Sequence, residues 1–255
     1  MAALHWPERL WIARHGESAG NVARDVAMAA AAERITLTGR DVDVPLSPQG
    51  EEQARGLGAW FAGFDAADQP DVLLTSPYAR AAATARLFQA AGGCDPDLVP
   101  CLDERLREKE FGILDGLTTR GIAAQEPGQA EMRRLLGKFY HRPPGGESWC
   151  DVILRLRSLM DSVALHHGGG RVMIVAHQVV VLCLRYIIEG LSEAEILAID
   201  HAGDVANCSV TEYRIDRQPG EQPKLALVRY NAVAAVADSD APVTSAPDRT
   251  AAARG

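Results

Sequence analysis

The chain has 255 residues, 47% of them hydrophobic, and a formal net charge of −8. That content is ample for a sizeable core, in one large or two small domains, and the acidic balance disfavours a nucleic-acid partner, whose phosphates are neutralised by basic surfaces. No targeting or membrane-spanning segment is evident, the longest apolar run after the N-terminal segment being "VVVLCL" at 179–184, and five cysteines without CxxC spacing point to reduced thiols and a cytoplasmic protein.

In chain order, "RLWIA" at 9–13 reads as a buried parallel strand. It stops at Arg14-His15-Gly16, and Ser18 and Asn21 open the next element. A cation and an imidazole therefore lie at the C-terminal edge of a strand, where open α/β sheets bind ligands. The alanine-rich stretch 22–32 reads as a helix lying over that edge. "DVLLTS" at 71–76 is a second strand, and Ser47-Pro48 and Ser76-Pro77 each pair an N-cap serine with proline at the first helical position. Residues 115–146 carry glycine, proline and charges without clean periodicity, which suits a lid-like insertion. Val152, Leu156, Leu159 and Val163 mark one face of an amphipathic helix. "RVMIVAH" at 171–177 is a third strand, Ser192-Glu193-Ala194-Glu195 fits a capping box, and "CSVTEYRI" with "KLALVRYN" reads as an antiparallel edge hairpin. The segment 237–255 is small, polar and proline-bearing, so disorder is expected there. The pattern predicts a layered α/β domain with a mostly parallel sheet over 1–236.

If the three strands are neighbours, Arg14, His15, Arg80 and His177 converge, and the helix that follows Gly16 adds backbone N–H donors and a positive dipole end. Such a pocket fits a phosphoryl group, whose oxygens guanidinium groups grip bidentately. The seven histidines lack HxH or HExxH spacing, so no metal site is expected. His166 and His167 read as a helix end, and His5, His141 and His201 as surface residues.

"RHGES" at 14–18, "SPYARAAATA" at 76–85, "DERLREKEFG" at 103–112, "GGESWCDVILRL" at 145–156 and "VAHQ" at 175–178 together resemble the histidine phosphatase, or phosphoglycerate-mutase-like, superfamily. The resemblance spans about residues 9–215. It implies a three-layer α/β/α fold, no cofactor, and a phosphatase acting on a small phosphorylated metabolite. It further implies that His15 is the phosphorylated nucleophile, that Arg14, Arg80 and His177 hold the phosphate, and that Glu108 is the acid, kept protonated by the like charge of the dianionic substrate. Gly16, Ser18, Asn21 and Gln178 complete the expected substrate contacts.

Gln178 and "GKFYHRPPGGES" resemble the fructose-2,6-bisphosphatase branch, in which an Arg-xxx-Lys spacing grips a second phosphate. Here that spacing falls on Arg134 and Lys138. Two other readings stay open: a phosphoglycerate mutase-type phosphotransferase, with Arg133-Arg134 as its paired arginines, and a phosphoester-binding pseudoenzyme without turnover. Membranes are not expected partners, and homodimerisation is left open.

Overall fold

Fully buried apolar runs form the middle of the sheet. In the computed structural model, which describes residues 5–37, 39–220, 222–233 and 242–245, β1 (Arg9–Arg14) lies between β4 (Arg171–Ala176) and β5 (Val210–Asp216). β2 (Val72–Thr75) flanks β4, the two-residue β3 (Cys101–Leu102) closes one edge and β6 (Lys224–Ala232) the other. Among the described residues every named strand belongs to this one sheet. The β1, β2, β3 and β4 pairings are parallel, and β5 joins β1 and β6 antiparallel. The 208–215 and 224–231 hairpin expected from the sequence is this antiparallel edge.

Successive side chains of a strand point to opposite faces, and β1 feeds two cores in this way. Leu10 and Ile12 join Val172 and Ile174 against α6 (Trp149–His166) and α7 (Gln178–Glu189). Trp11 and Ala13 join Leu73, Met173 and Val175 against α2 (Pro48–Ala62) and α3 (Ala79–Ala90). The result is the expected three-layer α/β/α sandwich. Register then sets where the chemistry falls: Arg14 is opposite Ala176, and Val175 is opposite both Ala13 and Thr75. All three strands thus end at one level, and the next residues, His15, Ser76 and His177, emerge side by side.

Three local details differ from the sequence reading. β3 is too short to leave a periodic signal. Helix α3 starts at Ala79 with Tyr78 as N-cap and no side-chain cap, so the Ser76-Pro77 pair lies just ahead of the helix and not in its first turn. The insertion contains α4 (Thr119–Gln125) and α5 (Pro127–Tyr140), the latter kinked at Gly137, whose φ of 77° and ψ of 163° are non-helical. α1 (Ala19–Ala29) follows the first strand, and α8 (Glu193–Ala202) starts at the expected Ser192 capping box. Most of the expected disordered segment 237–255 lies outside the described residues. Its described stretch 242–245 is held to the body: Gln53 Nε2 donates to the Pro242 carbonyl at 2.9 Å, and the Asn207 N–H to the Thr244 carbonyl at 2.7 Å. Among the described residues no helix is long and apolar enough to cross a membrane.

Candidate active site

The geometry of His15 fixes its protonation pattern. Its Nδ1 lies 2.6 Å from the Gly16 carbonyl oxygen, which can only accept, so Nδ1 carries the proton and Nε2 keeps its lone pair. Arg80 Nε donates to that Nε2 at 3.2 Å. The turn that holds the imidazole is tight. A Cβ on Gly16 would sit 2.3 Å from the Gly50 carbonyl oxygen, and one on Gly50 1.9 Å from that of Glu17, so only glycine lets the two backbones meet. Two further bonds pin the turn: Gly16 N–H to Thr84 Oγ1 at 3.0 Å, and Asn207 Nδ2 to the His15 carbonyl at 3.0 Å.

His177, the N-cap of α7, faces His15 with ring centroids 5.1 Å apart. Its Nε2 is 2.8 Å from Ser76 Oγ, and its ring meets that of Tyr78 at 5.2 Å. Ser76 Oγ also accepts from the Tyr78 N–H at 3.3 Å, which closes a turn just ahead of α3. Arg80 sits in the first turn of α3, its Nη1 and Nη2 on the Asp41 carboxylate at 3.2 and 3.1 Å. Arg14 donates through Nη1 to the Val205 carbonyl at 2.5 Å and the Ser245 carbonyl at 3.4 Å. Arg14, His15, Arg80, Glu108 and His177 are all buried.

Glu108 reaches the same place from the loop after β3. Its Oε1 accepts from the Lys109 N–H at 2.8 Å and its Oε2 from the Val179 N–H at 3.4 Å. The carboxylate therefore rests on the first turn of α7, where a helix dipole favours negative charge. A pair from α6 and the preceding loop clamps the Glu108 loop. Arg155 donates to Glu147 at 2.9 and 3.0 Å and to the Glu108 carbonyl at 3.3 Å, while Glu147 Oε2 accepts from the Glu110 N–H at 3.0 Å. Burial opposes ionisation of Glu147, but the Arg155 hydrogen bonds outweigh it and hold the carboxyl below its ordinary value. Ser76, Glu147 and Arg155 were not singled out from the sequence. The Gly-Glu-Ser motif was visible, but its partner loop was not.

Ser18 and Asn21 form the capping box of α1: the Asn21 N–H donates to Ser18 Oγ at 3.1 Å, and the Ser18 N–H to Asn21 Oδ1 at 2.8 Å. Gln178 donates through Nε2 to Asp204 at 3.0 Å. The expected Arg134 and Lys138 pair is not brought together. Arg134 is exposed and bound to Glu131 at 2.7 Å, whereas Lys138 is half-buried and paired with Asp200 of α8. The kink at Gly137 separates them, so their four-residue spacing does not place both on one helix face.

Arg133 takes the inward position instead. Its burial pushes its pKa down, and it lies close enough to Lys109 and His141 to lower theirs as well. Lys109, mainly through burial, is pushed down to about 8. His141, expected on the surface, is buried, 3.2 Å from Gln129 Oε1. Of these three, Lys109 adjoins Glu108, and nothing in the sequence spacing of Lys109, Arg133 and His141 announces their proximity. Among the described residues no group of three or more His, Cys, Asp or Glu side chains is disposed to hold a metal ion.

Two facing imidazoles with two buried arginines at the ends of parallel strands point to one enzyme class. The family model described as "Histidine phosphatase superfamily (branch 1)" matches residues 10–228, and the chain belongs to that superfamily. Among its relatives, a probable fructose-2,6-bisphosphatase of Schizosaccharomyces pombe is 31% identical over 73% of this chain, a match that spans only 40% of that longer protein. The probable phosphoglycerate mutase GpmB of Enterobacter sp. is 29% identical over 86% of this chain and 88% of its own length. A mycobacterial glucosyl-3-phosphoglycerate phosphatase, solved with VO3, superposes with a TM-score of 0.66 at 27% identity, covering 89% of this chain and 100% of the other. The α-ribazole phosphatase of Shigella flexneri, at 22% identity, shares the fold with a TM-score of 0.68 over 89% of this chain and 97% of its own.

Proposed function

We propose that the protein hydrolyses phosphate monoesters of small metabolites through a phosphohistidine on His15. The observation that carries this reading is a buried imidazole whose Nε2 keeps its lone pair because Nδ1–H is spent on the Gly16 carbonyl. In the first half-reaction Nε2 attacks phosphorus, the ester P–O bond breaks, and Glu108 gives its proton to the departing alkoxide oxygen. In the second, water attacks phosphorus, the P–N bond breaks, and Glu108 takes the proton that the water loses. Arg14, Arg80 and His177 offset charge on the equatorial oxygens, the dominant contribution in phosphoryl transfer. Neither half-reaction calls for a metal ion.

The substrate class follows from the second group of cations. Lys109 adjoins the acid and Arg133 lies near Lys109, and the two cations suit a substrate with a further phosphate or carboxylate beyond the ester that is cleaved. The names of the relatives, which include sugar-bisphosphate and phosphoglycerate derivatives, support the same class. The five free thiols support a reducing, cytoplasmic setting. A mutase would return phosphate from His15 to a second hydroxyl instead of to water.

The test is phosphate release from an aryl phosphate, with and without added bisphosphoglycerate, together with trapping of an acid-labile phosphoenzyme. Unaided release and a label lost in His15→Ala are expected. Isomer interconversion without release would make it a mutase, and an active His15→Ala protein would overturn the assignment of the nucleophile.

A further inference from the structure

After its last strand the chain returns to the nucleophile. β6 ends at Ala232, yet residues 242–245 lie against the end of β1 and the first half of α2. Gln49 Nε2 donates to the Pro242 carbonyl at 3.0 Å, and the Ser245 carbonyl accepts from Arg14 Nη1.

One hydroxyl in that segment links two amides. Thr244 Oγ1 accepts from Gln53 Nε2 at 2.8 Å and donates to Asn207 Oδ1 at 3.1 Å. The far end of each amide reaches the turn that carries the nucleophile: Asn207 Nδ2 donates to the His15 carbonyl at 3.0 Å, and Gln53 Oε1 accepts from the Glu17 N–H at 2.9 Å. These four bonds close a ring that grips the turn 15–17 on both sides. Gln53 and Asn207 are fully buried, where an amide left without partners is costly. A hydroxyl can serve both at once because it donates and accepts, and a methyl can do neither.

The Asn207 side of the ring is strained. Cys208 has a φ of 52°, in the left-handed region that non-glycine residues seldom occupy, and its N–H is a second donor to the His15 carbonyl, at 3.3 Å. Such a backbone persists only where its surroundings over-determine it. Thr244 contributes to that twice, since its carbonyl takes the Asn207 N–H while its hydroxyl takes the side chain.

We infer that Thr244 is a positioning residue for His15: its hydroxyl closes the ring that fixes the nucleophile's turn, which makes the 242–245 segment part of the frame of the active site. This rests on the reading of His15 as the nucleophile. Thr244 acts through Asn207 and Gln53 and not on the substrate. In-line attack needs Nε2 aligned with phosphorus, and a displacement of about 1 Å can cost roughly 10²-fold in rate.

The experiment follows formation of the phosphoenzyme from a phosphate-labelled aryl ester in single turnovers, which give its rate constant and the dissociation constant of the ester. The full chain is compared with Thr244→Val, Thr244→Ser, Val243→Ser, Gln53→Met, the Gln53→Met/Thr244→Val double variant and His15→Ala, with melting curves for each. Thr244→Val should form the phosphoenzyme roughly 10- to 100-fold more slowly. Its dissociation constant should change little, because Arg80 and His177 are held by other elements. Thr244→Ser, which restores the hydroxyl, should recover the rate. Val243 is exposed in the same segment, and Val243→Ser should match the wild type. The double variant should be little slower than Gln53→Met, since a ring already broken is not broken again. A wild-type rate in Thr244→Val, even with a lower melting temperature, overturns the inference. So does a Thr244→Ser as slow as Thr244→Val, a loss carried wholly by the dissociation constant, or a double variant whose loss is the product of the two single losses. A labelled phosphoenzyme that persists in His15→Ala overturns instead the nucleophile on which the inference rests, so the two failures are distinguishable.

Discussion

The strand-end site and the 115–146 insertion place charge by opposite means. At the strand ends, pairing of β1, β2 and β4 sets the level of His15, Ser76 and His177, and buried partners fix the orientation of each side chain. In the insertion, α5 leaves Glu131 and Arg134 in water, where they simply pair with each other. Exposed pairs of this kind contribute little. Arg133 and Lys138 turn inward, Arg133 toward Lys109 and Lys138 onto Asp200. A cation is thus placed for chemistry where backbone register determines its direction, and sequence spacing alone is a guide only where that register is unbroken.

The largest effect that tests this contrast is at Glu108. Glu108→Gln keeps the shape and removes the transferable proton, so kcat/KM on alkyl phosphates should fall by roughly 10² to 10⁴. On aryl phosphates, whose leaving groups need little protonation, the fall should be much smaller. Equal losses on both substrates would move the acid to Glu110 or Glu104.

Next is the clamp beneath it. Arg155→Met leaves Glu147 with the partly exposed Arg107 as its cation, at 2.8 Å, and the loss should approach but not exceed the roughly 3 to 5 kcal/mol of a buried pair that loses one partner. Thermal melts should show this loss at neutral pH. Because the folded carboxyl of Glu147 is held below its ordinary value of 4.5, the stability that the pair supplies is present above that value and disappears as pH falls through the folded one. Wild type and variant should therefore converge in acid. A constant gap down to strongly acid pH would deny the pair this role.

What the sequence made legible follows the same division. Uninterrupted apolar runs ending in Arg-His, in Ser-Pro and in Ala-His marked both the strands and the site, because a parallel strand is buried along its length and reveals its end by the first polar residue. The role of Ser76 was hidden, since serine before proline is equally good as a helix cap. Arg134 and Lys138 misled because the spacing argument assumes an unbroken helix, and Gly137, readable as a warning, gave no indication of the direction in which the chain turns. Burial of Lys109 and Arg133 depends on how α5 packs, which no local pattern encodes.

A smaller effect separates the neighbouring arginines. Arg133→Ala should lower kcat/KM on a sugar bisphosphate by about 10- to 100-fold, the loss of one charge-assisted contact, and leave an aryl phosphate nearly untouched. Arg134→Ala should change neither. If Arg134→Ala shows the selective loss, α5 presents its other face to substrate.

The smallest effect concerns Lys109, and its sign discriminates between a role in binding and a role in packing. Burial, with help from Arg133, lowers its pKa to about 8 from 10.5. Below pH 8 the ammonium is charged in folded and unfolded chains alike, and the folded state bears the whole cost of burying it. Between about 8 and 10.5 the folded chain has released the proton while the unfolded chain keeps it, so the cost fades as pH rises. Lys109→Met should therefore be more stable than the wild type at pH 7, by at most about 3 kcal/mol, and the advantage should shrink by pH 10. A packing residue would show only this. If Lys109 also holds a distal anion, KM for a bisphosphate should climb severalfold in the wild type as pH passes 8, through loss of one charged contact. KM for an aryl phosphate should not follow, and in Lys109→Met the bisphosphate KM should start high and stay flat over the same interval. A climb that persists in Lys109→Met would assign the titration to another group and leave Lys109 a buried cation without a part in recognition.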